Sequence, residues 1–413
     1  MVLANIGYFY AMRSSLCLVF SIFVCNNVFS QQFVENGRWH ADLQLNDSTN
    51  LGVELITEND TLYFINAEER VMLSEVSMNG DSVTARFPFY DSELRFTSLG
   101  PILVGEYVNH ARTSNNVFYF RALKDLDFRF SMQPEKPAAD LSGRWELFFE
   151  SEKGEGASNV AVLRQQGNRV TGTVLTATGD HRFLDGELSG NHLRLSTFNG
   201  AFAMLYDGTL EQDGTLRGHF YSGRHWHDTW TAVRNDSAKL PDPNSFTFLK
   251  PGYRRFDFSF PDASGKLWTL QDERFSNKVV VVQIMGTWCP NCIDETVFLN
   301  EYYSKNNSRG VEMLAVDFEK SNDPAKAWNN IARLQERIKI GYPVVFGGSS
   351  NRDSTATALP MLNRIAAFPT SIIIDKKGNV RKIHTGFSGP ATGKEFDRYK
   401  DEFSVFIDQL LGE

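Results

Sequence analysis

From residue 31 to residue 236 apolar and polar positions alternate in short runs, and Gly, Asn and Asp separate the runs. Examples are VTGTVLT (170–176), HLRLSTF (192–198) and TLRGHFY (215–221), with turn signals MNGD, QQGN and EQDG. A period of two predicts antiparallel strands buried on one face, joined by tight turns. The pattern also repeats. NGRWHADLQL (36–45) is echoed by SGRWELFFE (142–150), and VSMNGDSVTARFPFY by GELSGNHLRLSTFNG. PILVGEYV is echoed by GTLRGHFY, and VFYFRALKD by DTWTAVRND. The expectation is two similar antiparallel units, 31–136 and 137–238, with Trp39 and Trp145 entering a core near the first strand of each. Closing each sheet into a small barrel would remove its exposed edges.

The stretch KLPDPNSFTFLKPG (239–252) carries three prolines and reads as a linker. Beyond it the period changes. The run KVVVVQIMG is a buried strand, followed by helical PNCIDETVFLNEYYSK, strand VEMLAVDF, helical DPAKAWNNIARLQERI and strand YPVVFG. A short helical piece near TATALPML, strands TSIIID and VRKIHTG, and a terminal helix GKEFDRYKDEFSVFIDQLL complete the chain. Alternating strands and helices predict a mixed sheet with helices on both faces over 253–413. The fold class expected is multidomain: two antiparallel β-barrel-like units followed by an α/β domain.

Charge and length narrow the function. A chain of 413 residues suits several cores rather than one. The formal net charge is -8 and no basic block appears, which excludes nucleic acid as the main partner. At the N-terminus, Arg13 precedes the apolar run SSLCLVFSIFVC (14–25), and VFS places small residues before Gln31. That is the form of a cleaved export signal over 1–30, with Met12 an alternative start. A membrane anchor or a lipid-modified Cys25 are the competing readings. The expected location is the periplasm or cell envelope.

Export sorts the cysteines. Cys17 and Cys25 would leave with the signal, so the mature chain keeps only Cys289 and Cys292, in GTWCPNC. An exported protein with one closely spaced pair has not used cysteine to staple its fold. Cys289 falls where strand gives way to helix, and a helix N-terminus favours the nucleophilic thiolate. Pro290 suits the first helical turn. Cys292, one turn in, is placed to attack a mixed disulfide at Cys289. Zinc would need further ligands: HWH (225–227) offers His225 and His227 but lies in another unit, so no metal and no cofactor beyond the dithiol is expected. A purely structural CxxC loop is too short to constrain much unfolded chain.

These residues carry a resemblance. GTWCPNC after a buried strand, AAFPTSIIID (366–375) and DKKGNV followed by HTGFSG are similar to the landmarks of the TlpA/ResA-like thiol–disulfide oxidoreductases of the thioredoxin superfamily, over about 160 residues. The two Gly-x-Trp openings resemble those of lipocalin-like barrels. The resemblance implies that Cys289 attacks and Cys292 resolves, that Pro369 is the cis-proline facing them, and that Glu295 tunes Cys292. An ordinary exposed helix glutamate is the alternative for Glu295. Trp288, Pro290, Phe368 and Thr370 would meet substrate, with backbone beside Pro369 pairing an extended segment. Gln283 stands where thioredoxin has a buried aspartate, so an amide replaces that base. Pro-Asn between the cysteines departs from the usual dipeptides and leaves the direction of electron flow open. Phe368 is bulky for its position.

The expected function is exchange with exported protein dithiols and disulfides, more in the reducing direction, with a membrane thiol donor. A peroxiredoxin-like thiol peroxidase is one alternative, although Thr287 sits two rather than three before Cys289 and no proline precedes it. A β-barrel binding or adaptor protein with a redox switch is another. HRFLDGELSG and SGRHWHDTW are polar and aromatic enough to line a barrel mouth that holds a ligand or protein partner.

Overall fold

The computed structural model describes residues 33–413 apart from 153–157 and 322; the export segment expected over 1–30, with Cys17 and Cys25, lies outside the described residues. Residues Phe33–Glu413 form one compact unit.

The first sheet has nine antiparallel strands. Its first strand, Gly37–Gln44, pairs with its last, Val117–Lys124, so the sheet curls back on itself. Its two outer strands, Glu69–Met72 and Ser74–Asn79, follow one another in the chain and leave it nearly closed. The second sheet also has nine strands. Here Asn159–Gln166 pairs with both Gly143–Phe149 and Arg169–Thr176, which closes the barrel. Alternation produces both cores. In Thr61–Asn66, Leu62 and Phe64 point inward and Tyr63 and Ile65 stand between. Trp39 and Trp145 are buried, and their indole N–H groups donate to Thr57 Oγ1 and the Leu141 carbonyl.

The internal repeat has a steric reason at one position. Gly105 and Gly218 occupy matching places in the echoed runs. A Cβ would lie 2.0 Å from the Arg95 carbonyl oxygen at the first and 2.1 Å from that of Asp207 at the second. Only glycine lets the neighbouring strand approach that closely.

The barrels are not separate beads. Phe198, on the second sheet, inserts its ring into the core of the first, edge-on to Phe64, Phe87 and Tyr107 at 4.7, 5.4 and 4.9 Å between centroids. Tyr107 and Ser92 both donate to the Gly200 carbonyl just beyond it.

The third part is a five-stranded sheet in the order Val344–Ser349, Val311–Glu319, Val279–Met285, Thr370–Ile374, Val380–Thr385. The first three run parallel and the last two antiparallel. The strand Val279–Met285 is buried on both faces, which is why it reads as an apolar run interrupted only by Gln283. The segment 239–252, expected as a linker, is docked instead. Thr247 is fully buried against Thr385, and Leu249 bridges Leu362. Its prolines fit an extended path, and the apolar side chains between them bind that path to the sheet.

Candidate active site

Cys289 is the N-cap of the helix Pro290–Asn306, and its sulfur accepts from the Cys292 N–H at 3.4 Å. Both cysteines are free thiols and both are buried. The Cys289 S–H donates to the Phe368 carbonyl at 3.3 Å, across from the cis Phe368–Pro369 peptide. The Trp288 indole N–H donates to the Phe318 carbonyl, and its ring meets Phe368 edge-on at 5.4 Å. Gly286 makes this possible, since a Cβ there would lie 2.3 Å from Trp288 Nε1.

Glu295 is not an exposed helix glutamate: it is fully buried. Its carboxylate accepts from Ser371 Oγ at 2.8 Å and from Gln283 Nε2 at 2.9 Å, with Tyr399 as a further hydrogen-bond partner. Burial pushes its carboxyl up to about 7. Burial also pushes the Cys292 thiol well up, and the neighbouring Cys289 and Glu295 add to this. Gln283, which stands where a base was looked for, therefore donates to the buried Glu295 carboxylate. Ser371 and Tyr399 were not singled out from sequence, because only the fold brings them to Glu295.

A pair of buried carboxylates beside Thr287 was also missed. Asp317 and Glu319 lie at the end of Val311–Glu319, and both accept from the Thr287 N–H. The Thr287 hydroxyl is taken by Glu319. Burial and the charge of Glu319 hold the Asp317 carboxyl well above its usual range.

The face of the dithiol made by Pro290 and Asn291 is covered by the second barrel. Arg182 there is largely enclosed between Glu69 of the first barrel, at 2.5 Å, and Asp294 of the cysteine helix, and it donates to the Pro290 carbonyl at 3.4 Å. Asn291 Nδ2 donates to the Asp180 carbonyl, and the Gly389 N–H to the Asp180 carboxylate at 2.6 Å. A Cβ on Gly179, whose φ is +144°, would lie 1.9 Å from Asn291 Nδ2. Of the four residues expected to meet substrate, Trp288 and Phe368 are half-buried, while Pro290 and Thr370 are buried. Thr370 donates to the Ala367 carbonyl and shapes the turn into Pro369. The stretch HRFLDGELSG thus supplies Arg182 to the junction of all three parts.

Residues 250–400 match the Redoxin family. They form a redoxin domain. The thiol–disulfide oxidoreductase ResA of Geobacillus thermodenitrificans is 33% identical over 130 residues, covering 32% of this chain and 66% of the relative. A ResA of Bacillus thuringiensis subsp. konkukian is 28% identical over 143 residues, 35% of this chain and 72% of the relative. The chain thus spans about two thirds of the length of the relatives it matches. A thiol:disulfide interchange protein of the thioredoxin family from Chlorobium tepidum TLS aligns with 21% identity over 38% of this chain and 95% of its own, at a TM-score of 0.30. The redoxin domain is of thiol–disulfide oxidoreductase type, and two antiparallel β-barrel sheets precede it.

Proposed function

We propose that the protein exchanges disulfides with polypeptides outside the cytoplasm, acting as a reductase recharged by a membrane thiol donor. The observation that carries this reading is the placement of Cys289 at a helix N-terminus, 3.3 Å from the carbonyl before Pro369, with the buried Glu295 behind Cys292. The Cys289 thiolate attacks one sulfur of the substrate disulfide. That S–S bond breaks, a Cys289–S bond forms, and the first substrate thiolate leaves and is protonated. Cys292 then gives its proton to Glu295 and attacks the Cys289 sulfur. The second substrate thiolate leaves with two electrons now transferred, and the pair is left as a disulfide. Glu295 suits this step because its carboxyl titrates at about 7, where it can both accept and release the proton.

Forming the mixed disulfide also removes the S–H that occupies the Phe368 carbonyl. That carbonyl becomes free to accept an N–H from the arriving segment, as a strand would supply it. The test is Cys292→Ser in the full chain. It should accumulate a disulfide-linked adduct with a scrambled or reduced-and-reoxidised client, whereas Cys289→Ser should form none. Equal trapping by both variants would overturn the assignment of attacking and resolving thiols.

A further inference from the structure

The open side of the dithiol has a chemistry of its own. Pro290 and Asn291 are buried under the segment 177–182, so approach to Cys289 is left to the side of Trp288 and Phe368. Three chain segments meet there. The first-barrel turn after Asn109 is held to the redoxin domain by Lys326, which donates to the His110 carbonyl at 2.9 Å and pairs with Asp91 at 2.7 Å. The second-barrel turn at Gly223 is held to the first barrel by Arg224, which donates to the Val117 carbonyl at 2.7 Å. From the redoxin domain, Lys320 places its ammonium 4.2 Å over the Trp288 ring.

Two of the side chains contributed here, Arg112 and Lys320, are cationic, whereas burial pushes the His225 imidazole down to about 4 and leaves it neutral at pH 7. Burial lowers the Lys320 ammonium, the charge of Arg112 lowers it further, and the charges of Cys289 and Glu319 act the other way. Among the described residues, neither Lys320 nor Arg112 has a carboxylate within ion-pair distance. Glu319, next in the chain to Lys320, is buried and spent on Thr287 and Asn330. The charge of Arg112 reaches Lys320, so the two cations repel each other and gain from an anion between them.

We propose that Arg112 and Lys320 select the substrate: a disulfide carried on an extended acidic polypeptide segment, entering beside Trp288 with carboxylates near its cysteine. The proposal rests on the exchange reading above. The covered Pro290–Asn291 face excludes a folded surface, which would need to lie flat over the CxxC turn, whereas a single extended strand fits the side that is open.

The charge of the entrance can be tested without assuming exchange. The reduced full chain is alkylated at Cys289 with iodoacetate and, in parallel, with neutral iodoacetamide. Taking the ratio of the two rates cancels the thiolate fraction. The ratio, relative to free cysteine, should be raised about fivefold or more at low salt, and should collapse toward unity in roughly 0.5 M salt. Arg112→Gln and Lys320→Gln should each lower it, while Lys320→Arg should keep it. A ratio equal to that of free cysteine overturns the proposal. The second arm compares exchange with disulfide peptides flanked by Glu or by Lys, and with an acidic folded protein carrying an exposed disulfide. Preference for the Glu peptide over both is expected. Equal rates, or faster reaction with the folded protein, overturn it. If the wild type exchanges with none of them while the alkylation ratio is raised, the exchange reading has failed and the cationic entrance stands apart from it.

Discussion

At the scale of single residues, Glu295 shows what packing adds to spacing. Its place three beyond Cys292 is visible in the chain, but its burial is set by Gln283 and by Ser371, which lies 76 residues away. Because its carboxyl rises from 4.5 to about 7 on folding, the folded state holds this proton more tightly than the unfolded chain does. Its contribution therefore favours the fold below pH about 4.5 and is lost as pH rises toward about 7. Glu295→Gln should be more stable than the wild type at pH 8, by on the order of 2–3 kcal/mol, and little changed at pH 4. Urea unfolding at the two pH values checks this. The same substitution should slow disulfide resolution at pH 7 and remove its inflection near that pH. A stability difference independent of pH would contradict the raised carboxyl.

At the scale of elements, the alternating runs made the barrel strands legible, and the repeat made them two. Strands such as His192–Phe198 fall where period and turn signals place them. What the pattern does not carry is the partner of an inward face. Phe198 alternates like any core residue, yet the core it fills belongs to the other barrel. Phe198→Ala should cost about 3–5 kcal/mol, the range for a deleted buried aromatic, and should loosen the contact between barrels. Chemical denaturation with hydrogen exchange over Thr61–Asn66 would report both. Arg182 is the polar counterpart. Nothing in HRFLDGELSG indicates that its guanidinium neutralises Glu69 and Asp294, since these lie 113 and 112 residues away. Arg182→Ala leaves two largely enclosed carboxylates without the cation they share and should cost about 3–5 kcal/mol. It should also raise the rate at which a bulky maleimide reaches Cys289. No change in either quantity would show that the junction does not cover the dithiol.

At the scale of the whole molecule, the sequence reads as beads and residues 33–413 fold as one body. Its composition and motifs separate the β region from the redoxin domain correctly in kind. They give no sign that the barrels bury the Pro290–Asn291 face, or that the proline-rich stretch 239–252 is held against the sheet through Thr247 and Leu249. Those contacts join residues far apart in the chain, and no local period records them. The barrels thus shape the entrance to the dithiol as well as standing beside it.

The claim on which everything else depends is that Cys289 and Cys292 form a working redox couple. The most direct test is to equilibrate the full chain with a graded series of thiol/disulfide buffers and read the oxidised fraction by alkylation. The account predicts a single two-electron transition with a midpoint near or below about -250 mV, as suits a reductase recharged by a donor. A midpoint between about -120 and -180 mV would contradict the reducing direction. A pair that stays dithiol across the whole series would contradict the redox centre itself.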